Sequence, residues 1–343
     1  MATATGTLRR PKPAAPPRPP GALAQVWKHR ADYLYVLPSL LAMGLVIVYP
    51  FIRMVISSFQ YTSAYGGATR FVGLENYADA FADENFGRVI VNTVIWTVAS
   101  TAIAMVIGLM AAIVVSRPLV GRSFFRGALF IPYVIGPVTA AFVWKWMFNA
   151  DFGVISGTLI QLGLITTPIR FIDSTELVLG SVIAANVWKE FSFAMIMILA
   201  GLQAIPEQLY NAAKVDGAGR WRRFTDVTLP QLLPVLTVTS VLLVIANINA
   251  FTIVWVLTGG GPAYRSQIFI THLYTNAFVG SPRFELAAAL GVIVFLFLMV
   301  FAVLYVWLIG RQAKSRHAEL AAAEEESAAG AAANTGSAIG GAH

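Results

Sequence analysis

Long stretches without a single charge decide what this chain can become. Residues 33–52, 89–116, 127–144, 227–264 and 286–310 contain no Asp, Glu, Lys or Arg, and residues 177–206 contain only Lys189 and Glu190. Each approaches or exceeds the roughly 18–20 apolar residues that carry a helix across a bilayer. A water-soluble core could not absorb this much apolar chain: hydrophobic residues are 57% of the total and charged residues 12%, far from the balance of a soluble domain. The expectation is an all-α integral membrane protein with six spans, at about 33–56, 88–116, 125–148, 177–203, 232–257 and 286–310. Residues 152–169 are also uncharged. Gly153, Gly157, Gly163, Ser156, Thr158 and Pro168 dilute them, so they read as a short helix at the membrane surface.

The positive charge follows the same division. Six spans with both ends inside place sixteen of the 24 lysines and arginines on the inner segments, at least three on each, as the positive-inside rule requires. A seventh span would move the arginine-rich loop after residue 206 outside. The net charge of +7 is thus explained by anionic lipid on one membrane face. Nucleic acid is not a partner, because no polar domain carries basic and aromatic residues together. There is no cysteine, and His29, His272, His317 and His343 lack ligand spacing, which argues against a metal centre. The proline-rich residues 1–31 and the Ala/Gly-rich residues 312–343 read as disordered cytoplasmic tails around a membrane domain at 32–311.

Residues 204–231 break the apolar pattern with a charged, helix-prone island. Leu209, Ala212, Ala213 and Val215 give one helical turn an apolar side, Pro206 suits its first position, and Gly217 ends it. Trp221 and Phe224, three residues apart, then share a face ringed by Arg220, Arg222 and Arg223. By composition alone this is either a loop on lipid headgroups or a knob that docks on a soluble partner.

Inside the spans, polar residues are few enough to be informative. Lys189 and Glu190 lie near mid-membrane, where a charge costs about 2.5–3.5 kcal/mol on insertion scales. Asn186 and Glu190 share a helix face, and Asn247 and Asn249 interrupt the fifth span. These groups could hydrogen-bond a solute in a wet cavity, or bond across helices within the bundle. Tyr133 and Thr139 in the third span are weaker candidates, with Pro132 and Pro137 placed to kink it. Outside the spans, Phe71, Leu74, Tyr77 and Phe81 recur at helical spacing, and Gly259–Gly260–Gly261–Pro262 supplies a tight turn.

The run Asn211-Ala212-Ala213-x-x-Asp216-Gly217-Ala218-x-x-Trp221-x-x-Phe224, followed by TLPQLLP, resembles the EAA loop of permease subunits of binding-protein-dependent ABC importers, in the sugar branch related to the maltose permeases. Leu229 and Pro230 match as well. The outer FVGLENY segment and the IPYVIGPVT segment are similar to those permeases too, and looser similarity runs from about residue 33 to 310. The resemblance implies the type I importer permease fold with a cytoplasmic coupling helix that sits in a cleft of an ATPase. It also implies a second homologous permease, two ABC ATPase subunits that hold Mg-ATP, and an extracytoplasmic solute-binding protein, all at the cell membrane. Asn211 departs from the pattern: the family has a glutamate there, and an amide carries no charge for an arginine partner.

The chain has no G-x-x-x-x-G-K-[ST] loop, so the expectation is a transport subunit with no cofactor of its own and no catalytic role. The solute expected from the sugar branch is a sugar or oligosaccharide, with a polyol or glycerol phosphate as the alternative. A proton-coupled carrier or a membrane enzyme built on Lys189 and Glu190 is the competing class. It lacks the paired repeats or converging catalytic groups those functions use.

Overall fold

The computed structural model describes residues 30–62, 69–118, 120–303 and 305; both expected tails and the last residues of the sixth span lie outside this set. The described chain divides into two compact units, one ending at Arg53 and the other starting at Met54. The first is the stretch of α1 (Arg30–Met43), a π-helical turn at Gly44–Val48 and the start of α2 (Tyr49–Ser57). Leu34–Ser57 is long and apolar enough to cross a membrane.

The second unit is built on α4 (Phe86–Ser116) and α8 (Val178–Gln203), which pack along most of their lengths. Lipid offers no hydrophobic drive for helices to associate, so they must approach closely enough for dispersion to act. The sequence allows this with small residues every fourth position on α4: Ser100, Ala104, Gly108 and Ala112. A Cβ on Gly108 would stand 2.6 Å from Ala194 Cβ and 2.9 Å from the Met195 backbone nitrogen. Gly108→Leu should therefore push the two helices apart and destabilise the fold by about 2 kcal/mol or more. Thermal unfolding in detergent would check it, and a wild-type midpoint would show that the contact is slack.

The expected third span is two helices. α5 (Arg122–Val134) and α6 (Pro137–Met147) meet at 95°. Pro137 opens α6 and forces Gly136 into an extended conformation, φ −57° and ψ 144°, because the residue before a proline is driven out of the helical region. At 13 and 11 residues, each half is too short to cross a membrane alone. Among the described residues there are thus five helices able to span, or six with the bent pair taken as one. The six-helix expectation holds in that form.

The fifth span also departs from its expected limits of 232–257. A continuous helix of 29 residues runs from Arg220 to Ile248, made of α10 (Arg220–Arg223), a π-helical stretch at Phe224–Thr228 and α11 (Leu229–Ile248). It breaks at Asn249–Phe251, then resumes as the short α12 (Thr252–Thr258) capped by left-handed Gly259. The loop expected at 204–231 accordingly ends at Gly219. Both π-helical stretches end two residues before a proline, Pro50 or Pro230, whose missing N–H opens the hydrogen-bond ladder there.

Short elements flank these helices. The two-stranded pair β1 (Gln60–Tyr61) and β2 (Arg70–Phe71) is followed by α3 (Glu75–Ala82), where an amphipathic helix was expected. The Asn76 amide ties that helix down by donating to Ser58 O and Gln60 O at 2.9 and 2.8 Å. α7 (Val154–Gln161) is the short helix expected in the 152–169 stretch. α13 (Phe269–Phe278) carries buried His272 beside Asp83 at 3.2 Å. Burial holds this imidazole below the usual histidine value against the pull of Asp83, so near neutral pH it acts as a hydrogen-bonding group more than as a cation. α14 (Phe284–Val303) is the final apolar helix.

Candidate functional site

Three of the five polar residues expected inside the fourth and fifth spans are joined in one network. Asn186 and Glu190 lie one turn apart halfway along α8, and Asn247 reaches them from the far end of α11. The Asn186 amide donates to Asn247 Oδ1 at 2.8 Å, and the Asn247 amide donates to Glu190 Oε2 at 2.9 Å and to Thr101 Oγ1 at 3.3 Å. Asn247 is 0% exposed and Asn186 4%. Its backbone carbonyl is held as well, accepting from Trp96 Nε1 at 3.0 Å. Three helices thus converge on one asparagine. An amide suits this place because it donates and accepts at once, satisfying a carboxylate and a second amide among apolar side chains.

Lys189 points elsewhere. Its Nζ lies 5.1 Å from the Tyr133 ring centroid, a cation–π distance, and Tyr133 in turn stacks on Phe193 at 5.5 Å. The bend between α5 and α6 sets Tyr133 near the end of its helix. Thr139 is exposed on α6 and Asn249 on the break after α11, where its amide only caps Ile245 O of its own helix at 2.8 Å. Neither joins the network.

Two partners were missed. Thr101 offers no sequence signal, since a threonine in an apolar helix bonds its own backbone as readily as a neighbour. Trp96 is one aromatic among many in an apolar helix, yet a buried indole N–H must find an acceptor, and that need is a usable clue. Beyond the break, Phe251 stacks on Trp255 at 5.6 Å, and Tyr274 closes on both at 4.7 Å.

At the opposite end of the 29-residue helix stands the aromatic knob. Trp221 is 77% exposed, with Phe224 5.8 Å away between ring centroids. α9 (Glu207–Val215) is the short helix expected there, with Pro206 as its cap and Glu207 as its first residue. Asn211, Ala212 and Asp216 are exposed along it, while Ala213 and Ala218 are half-buried at the turn, where Ala218 N bonds Ala213 O at 2.9 Å. Gly217 makes that turn with φ +72°, a conformation other residues rarely adopt. Tyr210 Oη meets Thr228 Oγ1 at 3.0 Å, fastening α9 to the start of the long helix, and Pro230 lies just inside α11.

The comparisons agree with this architecture. Residues 104–314 match the model of the binding-protein-dependent transport system inner membrane component. The chain belongs to that family. This permease is 31% identical to the trehalose/maltose transport system permease protein of Thermococcus litoralis, over 80% of this chain and 92% of that one. It is 33% identical to the sn-glycerol-3-phosphate transport system permease protein of Agrobacterium fabrum, over 72% of this chain and 84% of that one. Among solved structures, that of a bacterial ABC transporter involved in the import of the acidic polysaccharide alginate superposes with a TM-score of 0.71 at 22% identity, covering 82% of this chain and 96% of the other. The permease is therefore a multi-pass membrane protein and a transport subunit.

Proposed function

We propose that the permease is one half of the membrane channel of an ATP-driven importer for a sugar or short oligosaccharide. An extracytoplasmic binding protein delivers the solute. A second, related permease completes the channel, and two ATPase chains holding Mg-ATP grip the 207–219 segment and the Trp221 knob from the cytoplasm, where both termini also lie.

One observation carries this reading. The helix that presents Trp221 at one end holds Asn247 at the other, about 40 Å away at 1.5 Å per residue. A displacement imposed on the knob is delivered along one continuous helix to the polar network buried among the spans, which is what alternating access needs. Asn186, Glu190 and Asn247 supply amides and a carboxylate that can exchange their mutual hydrogen bonds for sugar hydroxyls, with Thr139, Tyr133, Lys189 and Asn249 further along the path. Groups of this kind suit a neutral sugar, as in the name of the Thermococcus litoralis relative.

Reconstitution tests the whole. Vesicles carrying the permease pair, the ATPases and the binding protein should take up labelled disaccharide only with ATP, and unlabelled sugars should compete while glycerol 3-phosphate does not. Uptake by this chain alone on a proton gradient would make it a secondary carrier instead.

A further inference from the structure

A second polar site lies away from the solute network, at the end of the bundle that bears the knob. The last residues of α4 and α8, including Ser116 and Gln203, face α9 and α10 across a cleft of about 670 Å³. Arg117, Arg220 and Arg223 line it, against a single carboxylate, Glu207. None of the three guanidinium groups has a hydrogen-bonding or ionic partner among the described residues, and the Nε of Arg223 is fully buried without one. Arg117 and Arg220 are exposed and Arg223 is half-buried, so that Nε is the one enclosed donor of the three, and leaving it unpaired is costly. The Nε of Arg126 is likewise buried without a partner, but its Nη2 donates to Val115 O at 3.2 Å and so helps cap α4.

We propose that this cleft binds a phosphate group, and that its source is the headgroup of an anionic phospholipid. Guanidinium forks match phosphate oxygens in pairs, and three cations against one anion leave the lining with an excess positive charge of two. The position selects the lipid. Ser116 and Gln203 end the apolar runs of two spans, so the cleft sits at headgroup depth, with the exposed apolar side chains of α4 beginning directly beyond it. A lipid held there would wedge between the spans and the segment that meets the motor, and would set how firmly α9 is seated. The proposal is independent of which solute is carried.

Its test is lipid retention by the assembled importer. The complex would be exchanged through vesicles of phosphatidylcholine with a minor fraction of phosphatidylglycerol, and bound lipid counted by mass spectrometry. Wild type should retain phosphatidylglycerol over phosphatidylcholine. Arg117→Gln with Arg223→Gln should weaken that retention about tenfold or more, Arg223→Lys should fall between, and Arg170→Gln, distant from the cleft, should match wild type. Equal elution on size exclusion would show that the variants are assembled. Inorganic phosphate should displace the lipid at millimolar concentration if the contact is to the phosphate. Phosphate binding without any phosphatidylglycerol retention would move the source to a soluble phosphate and overturn the lipid assignment. Undiminished retention in the double variant, or lost ATPase association with retention intact, would overturn the site.

Discussion

Asn247→Leu should cut the amount of assembled permease more than tenfold and abolish the uptake of what remains. Leucine nearly matches the shape of asparagine, so the effect comes from hydrogen bonds. The substitution strips Glu190 of its 2.9 Å donor and Asn186 of its 2.8 Å acceptor in one step, and each buried polar group that loses its partner costs about 1–3 kcal/mol. The converse experiment separates packing from transport. Removing every partner together, with Asn186→Leu, Glu190→Met and Asn247→Leu, leaves no stranded amide or carboxylate and should restore much of the assembled protein. Uptake should stay absent, because the groups offered to the solute are gone. A triple variant that both assembled and transported would show that the network only holds helices together. Near-normal transport by Asn247→Leu alone would mean that the buried amide matters to neither.

The spans were legible because uncharged length is a property of sequence alone, and lipid leaves the backbone few alternatives to helix. What periodicity could not supply was where a span bends. The break between α5 and α6 turns on one proline at residue 137 and the glycine before it; Pro132 and Pro234 sit inside helices without ending them. Only the surrounding packing distinguishes these cases. The same limit applies to the network. That Asn186 and Glu190 share a face follows from helical spacing, but the choice of Asn247 over Asn249 as their partner depends on how α4, α8 and α11 cross. Two residues of helix rotation turn one amide inward and leave the other capping its own turn. The coupling segment was read from its motif, while its continuity with the fifth span was hidden by the charges at Arg220–Arg223, which look like loop and fold as helix.

That continuity governs the second large effect. Trp221→Ala should leave the permease inserted and assembled with its sister chain, since a side chain 77% exposed contributes within about 0.5 kcal/mol to the fold. Exposed to water, the indole has no role within this chain large enough to justify its place. In a motor's cleft it would be an anchor worth about 2–4 kcal/mol, so its loss should lower ATPase association and ATP-driven uptake at least tenfold. Gly217→Pro should do the same by another route: a proline fixes φ near −65°, while the turn holds Gly217 at +72°, and α9 would lose its seating on Thr228. The two variants are distinguishable by trypsin, because Gly217→Pro should open the Glu207–Gly219 segment to cleavage at Lys214 and Trp221→Ala should not. ATPase pull-down and vesicle uptake measured on the same preparations decide the matter. Wild-type uptake with full ATPase association in the Trp221 variant would remove the knob from the coupling path and leave the 29-residue helix as a membrane span with no lever at its end.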